Sequence, residues 1–396
     1  MSNGLCKLYL KPRKEESLLR FHPWIFSGAV ASASGRAEDG DLVEVYDAGG
    51  RFMGTGHYQA GSITVRILSF RPATIDHSFW MERLGAAYGV RRALGLCADD
   101  NDTFRLVYGE GDMLPGLIVD VYGSMAVVQA HSVGMHRSRM AVAAALKETL
   151  GDGLRCVYYK SEGTLPPRMA SSGENAFLLG EAPEEAIAVE KGLRFHVDWQ
   201  KGQKTGFFVD QRENRALLEG YARGRQVLNM FCYTGGFSVY AMRGDAAAVH
   251  SVDSSARAVG LTERNVELNF PGDARHRAFA ADAFEFLGGM PGGYDLIALD
   301  PPAFAKRREV LRNALLGYRK LNALAMEKIA AGGILFTFSC SQVVSRNDFR
   351  LAIFSAAAQT GRHVRILHQL TQPADHPVSI YHPEGEYLKG LVVLVE

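Results

Sequence analysis

Short apolar segments that end in polar or glycine turns alternate with helical patterns over the second half of the chain. Four segments carry most of the information, at residues 227–236, 250–254, 295–304 and 333–341. Alternation of strand and helix patterns is typical of a doubly wound α/β domain with a parallel sheet. Because ligands bind beyond the carboxyl ends of such strands, the four segments predict one shared crevice.

Two other patterns precede this domain. Short alternating strands broken by glycine turns occupy residues 5–71 and favour a small β-barrel. A helical pattern at 77–94 and strand patterns such as 125–130 then predict a small α+β domain.

The chain of 396 residues is too long for one ordinary core. We therefore predict three domains, with bounds at 1–72, 73–186 and 187–396. The stretch 161–185, which is rich in Gly, Pro, Ser and Glu, is the predicted linker into the last of them.

Composition narrows the class of protein. Hydrophobic residues make up 47% and charged residues 22%, as in ordinary globular proteins. The formal net charge is +1, so any basic surface for nucleic acid must be local. Residues 1–36 have such a bias, with six basic residues (Lys7, Lys11, Arg13, Lys14, Arg20, Arg36) against Glu15 and Glu16.

The five cysteines are scattered and show no paired spacing for zinc. Free thiols and no metal are therefore expected. No secretion signal and no run of about 18 apolar residues is present, so we expect a cytoplasmic protein without a membrane partner.

The glycine turn at Gly235-Gly236 lacks the G-x-G-x-x-G pattern of a dinucleotide site, which favours a cofactor without pyrophosphate. S-adenosylmethionine is such a cofactor. Asp253 is placed to hold ribose hydroxyls and Asp282 to accept from the adenine amine, although each aspartate could instead cap a helix. The predicted cofactor-binding set is Gln211, Asn229, Phe231, Tyr233, Thr234, Gly235, Asp253, Ser254, Asp282, Ala283 and Asp300.

Asp300 and Cys340 are the predicted catalytic residues, because each follows an apolar strand of the same sheet. Cytosine C5 is a poor nucleophile, and a thiolate that adds to C6 makes it reactive. Asp300 would bind N3 and the exocyclic amine of the base. The alternative is that Cys340 is a small core residue. Cys232, the rival thiol, is interpreted as a packing residue beneath the cofactor.

The turn after Asp300 and the basic run behind it are predicted to contact RNA. Two prolines restrict this turn, and a basic cluster beside it suits phosphate contacts, although a solvated helix face is the common explanation of a charge run. The predicted RNA-contacting residues are Pro301, Pro302, Phe304, Lys306, Arg307 and Arg308.

Three longer motifs carry a resemblance that covers essentially the full length. They are His-Pro-Trp-Ile-Phe at 22–26, the segment 109–120 that starts Gly-Glu-Gly-Asp, and the segment 204–214 that starts Lys-Thr-Gly-Phe-Phe. The chain resembles the ribosomal large subunit methyltransferase I family. The resemblance implies an amino-terminal PUA domain and formation of 5-methylcytosine in 23S ribosomal RNA. Our hypothesis is that the substrate is free 23S ribosomal RNA or a large-subunit assembly intermediate and not a finished subunit.

The resemblance also implies roles for single residues. Asp253 and Asp282 would bind S-adenosylmethionine, Asp300 would contact the base, and Cys340 would be the nucleophile. Other cytosine-5 RNA methyltransferases carry a second cysteine where this chain has Ala303 and Phe304. The base that removes the C5 proton is thus unassigned, and the target nucleotide and the oligomeric state, a homodimer included, stay open.

Two readings from other classes compete with this one. In an exocyclic-amine methyltransferase, the Asp-Pro-Pro turn holds an amino nitrogen and Cys340 is only a core residue. In a non-catalytic assembly factor, the fold binds RNA without turnover. A nicotinamide dehydrogenase is disfavoured by the missing phosphate loop.

Overall fold

The computed structural model describes residues 4–166 and 174–396. These residues form two compact units. Unit 1 comprises the described residues up to Val189 together with Val197–Val209 and Ala374–Gly385, and unit 2 comprises Glu190–His196, Asp210–Pro373 and Glu386–Glu396.

Unit 1 contains two sheets. Its strands are β1 (Cys6–Leu10), β2 (Trp24–Phe26), β3 (Val30–Ala33), β4 (Leu42–Tyr46), β5 (Phe52–Tyr58), β6 (Ile63–Ser69), β7 (Thr103–Tyr108), β8 (Leu117–Tyr122), β9 (Met125–Ala130), β10 (Cys156–Tyr159) and β11 (Ala176–Leu179). Its helices are α1 (Glu16–Leu19), α2 (His77–Ala93) and α3 (Val133–Leu150).

The amino-terminal sheet has six strands in the order β2-β6-β5-β4-β1-β3. Buried and half-buried positions alternate strictly along β4, which is the period expected of a strand with one face on a core. That core includes Val43, Val45 and Val65, which are completely buried. The alternation seen in the sequence therefore marks the inward face of this sheet.

The second sheet of unit 1 has five strands in the order β11-β10-β9-β8-β7 and packs with α2 and α3 around its own core. Strand β9 is buried at every position, and α3 begins at a cap where the Ser132 side chain accepts from the Met135 amide. This is the predicted small α+β arrangement.

The predicted linker at 161–185 is wrong in part. Within it, β11 pairs antiparallel with β10, so residues 176–179 are a sheet edge and not a connection. The surrounding Gly, Pro and Ser residues masked this short apolar run. Positions 167–173 of the predicted linker lie outside the described residues, and the three predicted domain bounds stay a prediction.

Unit 2 contains the parallel sheet. Two short strands, β12 (Ile187–Glu190) and β13 (Leu193–His196), lie where the chain passes into it. Its further strands are β14 (Gln226–Met230), β15 (Ala248–Asp253), β16 (His276–Ala280), β17 (Leu296–Leu299), β18 (Gly333–Ser339), β19 (Val364–Thr371) and β20 (Lys389–Val395). Its helices are α4 (Arg212–Ala222), α5 (Gly236–Arg243), α6 (Ala256–Asn269), α7 (Ala283–Gly289), α8 (Leu311–Lys328) and α9 (Arg346–Thr360).

The sheet of unit 2 has the order β16-β15-β14-β17-β18-β20-β19. Strands β14 to β18 pair in parallel, and β20 runs antiparallel to both of its neighbours. Strand β17 is buried at all four positions, as expected for the centre of a sheet covered on both faces. The doubly wound architecture predicted from the sequence is therefore confirmed.

Helix caps in unit 2 follow simple local chemistry. The Ser255 side chain accepts from the Ala258 amide at the start of α6, and Ser345 forms a reciprocal capping box with Asp348 at the start of α9. Gly361, with a φ of 69°, ends α9 in the left-handed conformation that suits glycine. Across the described part of the chain, no helix is both long enough and apolar enough to cross a membrane.

Candidate active site

The strand order of unit 2 reverses at β14, which is where a ligand crevice is expected. Strand β14 pairs with β15 on one side and with β17 on the other, so the chain leaves the carboxyl ends of β14 and β17 in different directions. Loops that diverge in this way open a ligand crevice at the sheet edge. The predicted segments after β14 and β17 flank this point.

The turn after β14 is tightly wound. Phe231, Tyr233 and Gly235 all have positive φ, at 59°, 48° and 79°. A Cβ added at Gly235 would lie 2.5 Å from Thr262 Cγ2, so only glycine fits. The Thr262 hydroxyl in turn donates to the Tyr233 carbonyl at 2.9 Å. Two non-glycine residues held in this conformation are a concentration of backbone strain of the kind found at ligand sites.

Asp253 ties this turn to the end of β15. Its Oδ2 accepts from the Tyr233 amide at 3.0 Å, and its Oδ1 accepts from the Ser255 amide at 2.9 Å. Each carboxylate oxygen has a second lone pair, so the group retains the capacity to accept from hydroxyls. Asp253 is half-buried, and the adjacent Ser254 is exposed.

Asp282 caps α7. Its Oδ1 accepts from the amides of Phe284 and Glu285 at 2.8 and 3.1 Å. The capping alternative considered for the aspartates thus describes Asp282, whereas the cap of α6 is Ser255. Ala283, the next residue in the predicted cofactor set, is buried in the core of the unit.

Asp300, directly after β17, is held by a two-step amide chain. Gln211 donates from Nε2 to Asp300 Oδ2 at 3.0 Å, and Asn214 donates to Gln211 Oε1 at 2.6 Å. Because Oε1 is engaged by Asn214, the amide of Gln211 presents its nitrogen to the carboxylate. Both amides are almost completely buried, at 3% and 4% exposure, so the orientation of Asp300 is determined by the interior of the unit.

Cys340 follows β18 at the same sheet edge. Strands β17 and β18 are parallel neighbours with Leu299 opposite Thr337, so Asp300 and Cys340 follow the same ends of adjacent strands, with Cys340 two residues further along the register. The Cys340 side chain is half-buried. The sequence prediction that both residues belong to one edge is met by this register, while their roles stay predictions.

The segment after Cys340 is tethered to the Asp-Pro-Pro turn. The Ser341 hydroxyl donates to the Ala305 carbonyl at 2.5 Å, and the Ser339 hydroxyl donates to Tyr318 at 2.9 Å. The ring of Tyr318 packs against Phe304 with 4.6 Å between centroids. Burial raises the pKa of Tyr318 to about 12, so its hydroxyl stays neutral at physiological pH. These contacts link the loop after β18, which carries Cys340, to the Asp-Pro-Pro loop after β17.

Lys389 is a site residue that the sequence analysis missed. It lies opposite Ser339 at the start of β20, and its Nζ donates to the carbonyls of Ser341 and Val344 at 2.5 and 2.7 Å. Burial lowers the pKa of Lys389 to about 8, and the charge of Cys340 acts in the opposite direction. A single lysine at the head of the apolar run Lys389–Val395 was the available signal.

Cys232 has the properties of a packing residue. It is 6% exposed, and burial raises the pKa of its thiol to about 12, so it carries no thiolate near neutral pH. Thr234, which belongs to the predicted cofactor-binding set, is also buried. The Thr234 carbonyl accepts from Asn265 at 2.8 Å.

Asn229 lies within β14 and is 1% exposed. Its Nδ2 donates to Ser238 at 2.9 Å, and a chain of hydrogen bonds continues through Ser251 to His276. Its Oδ1 has no hydrogen-bond partner among the described residues. Asn229, which was predicted to bind the cofactor, is therefore part of a buried hydrogen-bond network.

The residues predicted to contact RNA differ in exposure. Pro301 is buried and Phe304 is half-buried, whereas the others lie on the surface: Pro302, Lys306, Arg307 and Arg308. The basic run is consequently open to solvent directly after the turn that carries Asp300.

Two family models match the chain, one over an amino-terminal range and one over a carboxy-terminal range. The model described as S-adenosylmethionine-dependent methyltransferase matches residues 163–384, which is more than half of the chain. A model described as PUA-like domain matches residues 8–70.

The chain is also similar to individual proteins. The ribosomal RNA large subunit methyltransferase I of Erwinia tasmaniensis is 38% identical over 98% of this chain and 99% of its own length. A structure from Streptococcus mutans, described as a SAM-dependent methyltransferase, superposes with a TM-score of 0.83 at 24% identity, covering 98% of this chain and all of that one. A methyltransferase complexed with SAH gives a TM-score of 0.84 with the same identity and coverage. The two structures agree with the fold.

Proposed function

Because the chain belongs to the ribosomal RNA large subunit methyltransferase I family, we propose that it forms 5-methylcytosine in 23S ribosomal RNA through a covalent bond from Cys340 to cytosine C6. S-adenosylmethionine is the methyl donor of this family.

One observation carries the proposal. Cys340 and Asp300 leave adjacent parallel strands at the edge where the strand order reverses, and Ser341 bonds to the Asp-Pro-Pro loop. A planar base bound at this edge would have a thiol and a carboxylate available from neighbouring strand ends.

The chemistry assigns one role to the thiol. As a thiolate, Cys340 Sγ adds to C6 and the electron pair of the C5–C6 bond moves to C5 and the ring, which makes C5 nucleophilic. After the methyl group is on C5, loss of the C5 proton to a base re-forms the double bond and expels the Cys340 thiolate. The residue that takes this proton is unassigned.

Asp300 orients the base. The buried Gln211 and Asn214 amides hold its carboxylate, so it presents a preset acceptor for the exocyclic amine of cytosine. A protonated Asp300 would also donate to N3 as the thiolate adds to C6.

The residues around the glycine turn fit the cofactor. Asp253 has carboxylate lone pairs for ribose hydroxyls, Asp282 lies at the next strand end, and Gly235 allows close approach of the backbone. When bound, S-adenosylmethionine supplies an electrophilic methyl group. The half-buried ring of Phe231 offers an apolar face beside the same turn.

RNA binding is assigned to two basic surfaces. The PUA-like domain carries the basic amino-terminal stretch, and Lys306 to Arg308 are exposed next to the Asp300 turn. Structured RNA is bound largely through phosphates and shape, and the target cytosine must leave its stack to reach Cys340.

The test is incubation of the full-length protein and S-adenosylmethionine with 23S ribosomal RNA that contains 5-fluorocytosine. Fluorine at C5 cannot leave as a proton does, so the adduct persists and denaturing gels show a protein–RNA complex. We expect the complex with the unmodified protein and none with Cys340→Ala.

Cys232→Ala is the matched control, since that thiol is buried and protonated, and its variant should form the adduct as the unmodified protein does. Full methylation by Cys340→Ala would overturn the covalent mechanism and favour an exocyclic-amine methyltransferase. Absence of S-adenosylmethionine binding in calorimetry would instead favour a non-catalytic assembly factor.

A further inference from the structure

Two histidines and a glutamate from opposite ends of the chain meet in unit 1. His22 precedes β2, and His382 and Glu384 belong to the segment Ala374–Gly385. One ligand atom from each of the three residues lies within 4.8 Å of the others. None of them belongs to the crevice of unit 2.

The two imidazoles face one carboxylate. His22 Nε2 lies 3.7 Å from Glu384 Oε1, and His382 Nε2 lies 3.7 Å from Glu384 Oε2. These distances are too long for hydrogen bonds. They are close to the roughly 3.4 Å that separates ligand atoms in a tetrahedral zinc site with bonds of about 2.1 Å.

The surroundings of His382 independently indicate a bound ligand. It is 2% exposed, and neither ring nitrogen has a hydrogen-bond partner among the described residues. A buried polar atom without a partner destabilises the fold, and an ion or an ordered water that completes the site accounts for such a group. A cation bound at Nε2 gives this nitrogen a partner.

The surroundings support a cation. His22 Nδ1 lies 3.2 Å from the Trp24 amide nitrogen, which donates to it, and 3.3 Å from the Trp24 carbonyl oxygen, so the backbone of Trp24 fixes the ring with Nε2 towards Glu384. Metal binding at Nε2 requires the tautomer with its proton on Nδ1, which donates to the Trp24 carbonyl. The Trp24 indole packs on His382 with 4.3 Å between centroids and donates to Glu110 at 2.8 Å. Glu110 adds a second negative charge close by.

We propose that His22, His382 and Glu384 bind one divalent transition-metal ion, of which zinc is the reference case. Two imidazoles and one carboxylate are a ligand set that binds zinc with one further position for water. The ion would fasten the segment Ala374–Gly385 to the amino-terminal sheet of unit 1. This inference does not depend on the proposed methyl transfer.

No metal was expected from the sequence, because the cysteines show no paired spacing for zinc. The ligands here are separated by almost the whole chain, and only the short His-x-Glu pair at 382–384 is local. The spacing of residues along the sequence therefore could not predict this set of three ligands.

The test uses full-length protein that has been stripped with a chelator and dialysed, then titrated with zinc chloride against a fluorescent zinc indicator in the presence of a phosphine reductant. We expect one tight equivalent. His382→Gln and Glu384→Gln should weaken this equivalent by about tenfold or more, since loss of a ligand exceeds the cost of losing an outer-shell partner.

His77→Gln is the matched control, because His77 forms an exposed pair with Glu148 at 2.9 Å on the surface of the same unit. It should bind zinc as the unmodified protein does. Glu384 is half exposed, so its variant is expected to fold, and retained S-adenosylmethionine binding and an unchanged circular dichroism spectrum check this.

Cobalt in place of zinc gives a further readout. Visible absorption without a sulfur-to-cobalt charge-transfer band is expected for nitrogen and oxygen ligands. The proposal is overturned if the unmodified protein takes up no zinc, if both variants bind it equally well, or if the charge-transfer band shows that cysteines hold the ion.

Discussion

The side-chain amide of Gln211 donates a hydrogen bond of 3.0 Å to the carboxylate of Asp300, across 89 residues of sequence. Asn214 determines which end of that amide faces the carboxylate. The residue predicted to orient the base is thus itself oriented from α4 and the turn before it.

Gln211→Ala should impair methylation more than cofactor binding. Loss of a hydrogen bond to a charged group costs about 1.5–3 kcal/mol, so we expect the rate to fall about 10- to 100-fold. Single-turnover methylation of 23S ribosomal RNA measures this. Gln226→Ala, at an exposed glutamine that begins β14, is the control and should keep the full rate. An unaffected Gln211→Ala would mean that the amide chain plays no part in positioning Asp300.

Asp282 has two separable roles if it both caps α7 and binds the cofactor. Asp282→Ala should lower the free energy of unfolding by about 1 kcal/mol through loss of the cap. Asp282→Asn keeps a good capping residue and should restore stability, yet still bind S-adenosylmethionine more weakly because the carboxylate is gone. Urea unfolding and calorimetry separate the effects. Equal cofactor affinity in Asp282→Asn and the unmodified protein would leave Asp282 as a cap alone.

Lys389 should be needed for turnover. Lys389→Met removes the ammonium that holds the carbonyls of Ser341 and Val344, so the loop after Cys340 loses its anchor. We expect a fall in kcat of about tenfold or more with little change in cofactor affinity. Lys328→Met is the matched control, because Lys328 likewise donates to a backbone carbonyl, that of Met290, in the same unit. Equal losses in the two variants would point to a general structural effect.

Arg307 should contribute a phosphate contact. In Arg307→Gln, RNA affinity should fall for all sequences alike, and the slope of log K against log salt should decrease by about 1. Arg264→Gln removes an exposed charge on α6 of the same unit and should leave the slope unchanged. Filter-binding at several salt concentrations gives both slopes. Identical slopes in the Arg307 variant and the unmodified protein would assign this basic run to a solvated surface.

Acid should destabilise unit 1 through His57. Burial lowers the pKa of His57 to about 4, so between pH 6.5 and 4 the unfolded chain binds a proton that the folded chain does not. The free energy of unfolding therefore falls as the pH drops through this range, by up to about 3 kcal/mol, and is insensitive to His57 above it. His57→Leu should reduce the slope, whereas His77→Leu, at an exposed position, should not. Urea unfolding at several pH values, followed by tryptophan fluorescence, measures how the free energy of unfolding depends on pH. An unchanged pH dependence in His57→Leu would contradict the role given to His57.

Much of the fold was accessible from sequence because its signals are local. Strand β9 and the helix at His77 match their predicted patterns closely, since hydrophobic period depends on neighbouring residues. Strand β11 was hidden because a four-residue run among glycines and serines has too little period to detect.

The sequence by itself determined that aspartates and a cysteine follow successive apolar strands, and parallel strands bring such residues to one edge. Only the tertiary structure decided that Lys389 anchors the Cys340 loop, that Gln211 holds Asp300, and that His22 meets His382. The reason is physical: these contacts depend on which strands are neighbours and which side chains are buried together. Residues far apart in sequence show no periodic pattern that predicts such a contact. The contact is determined by how the secondary-structure elements of the whole domain pack together.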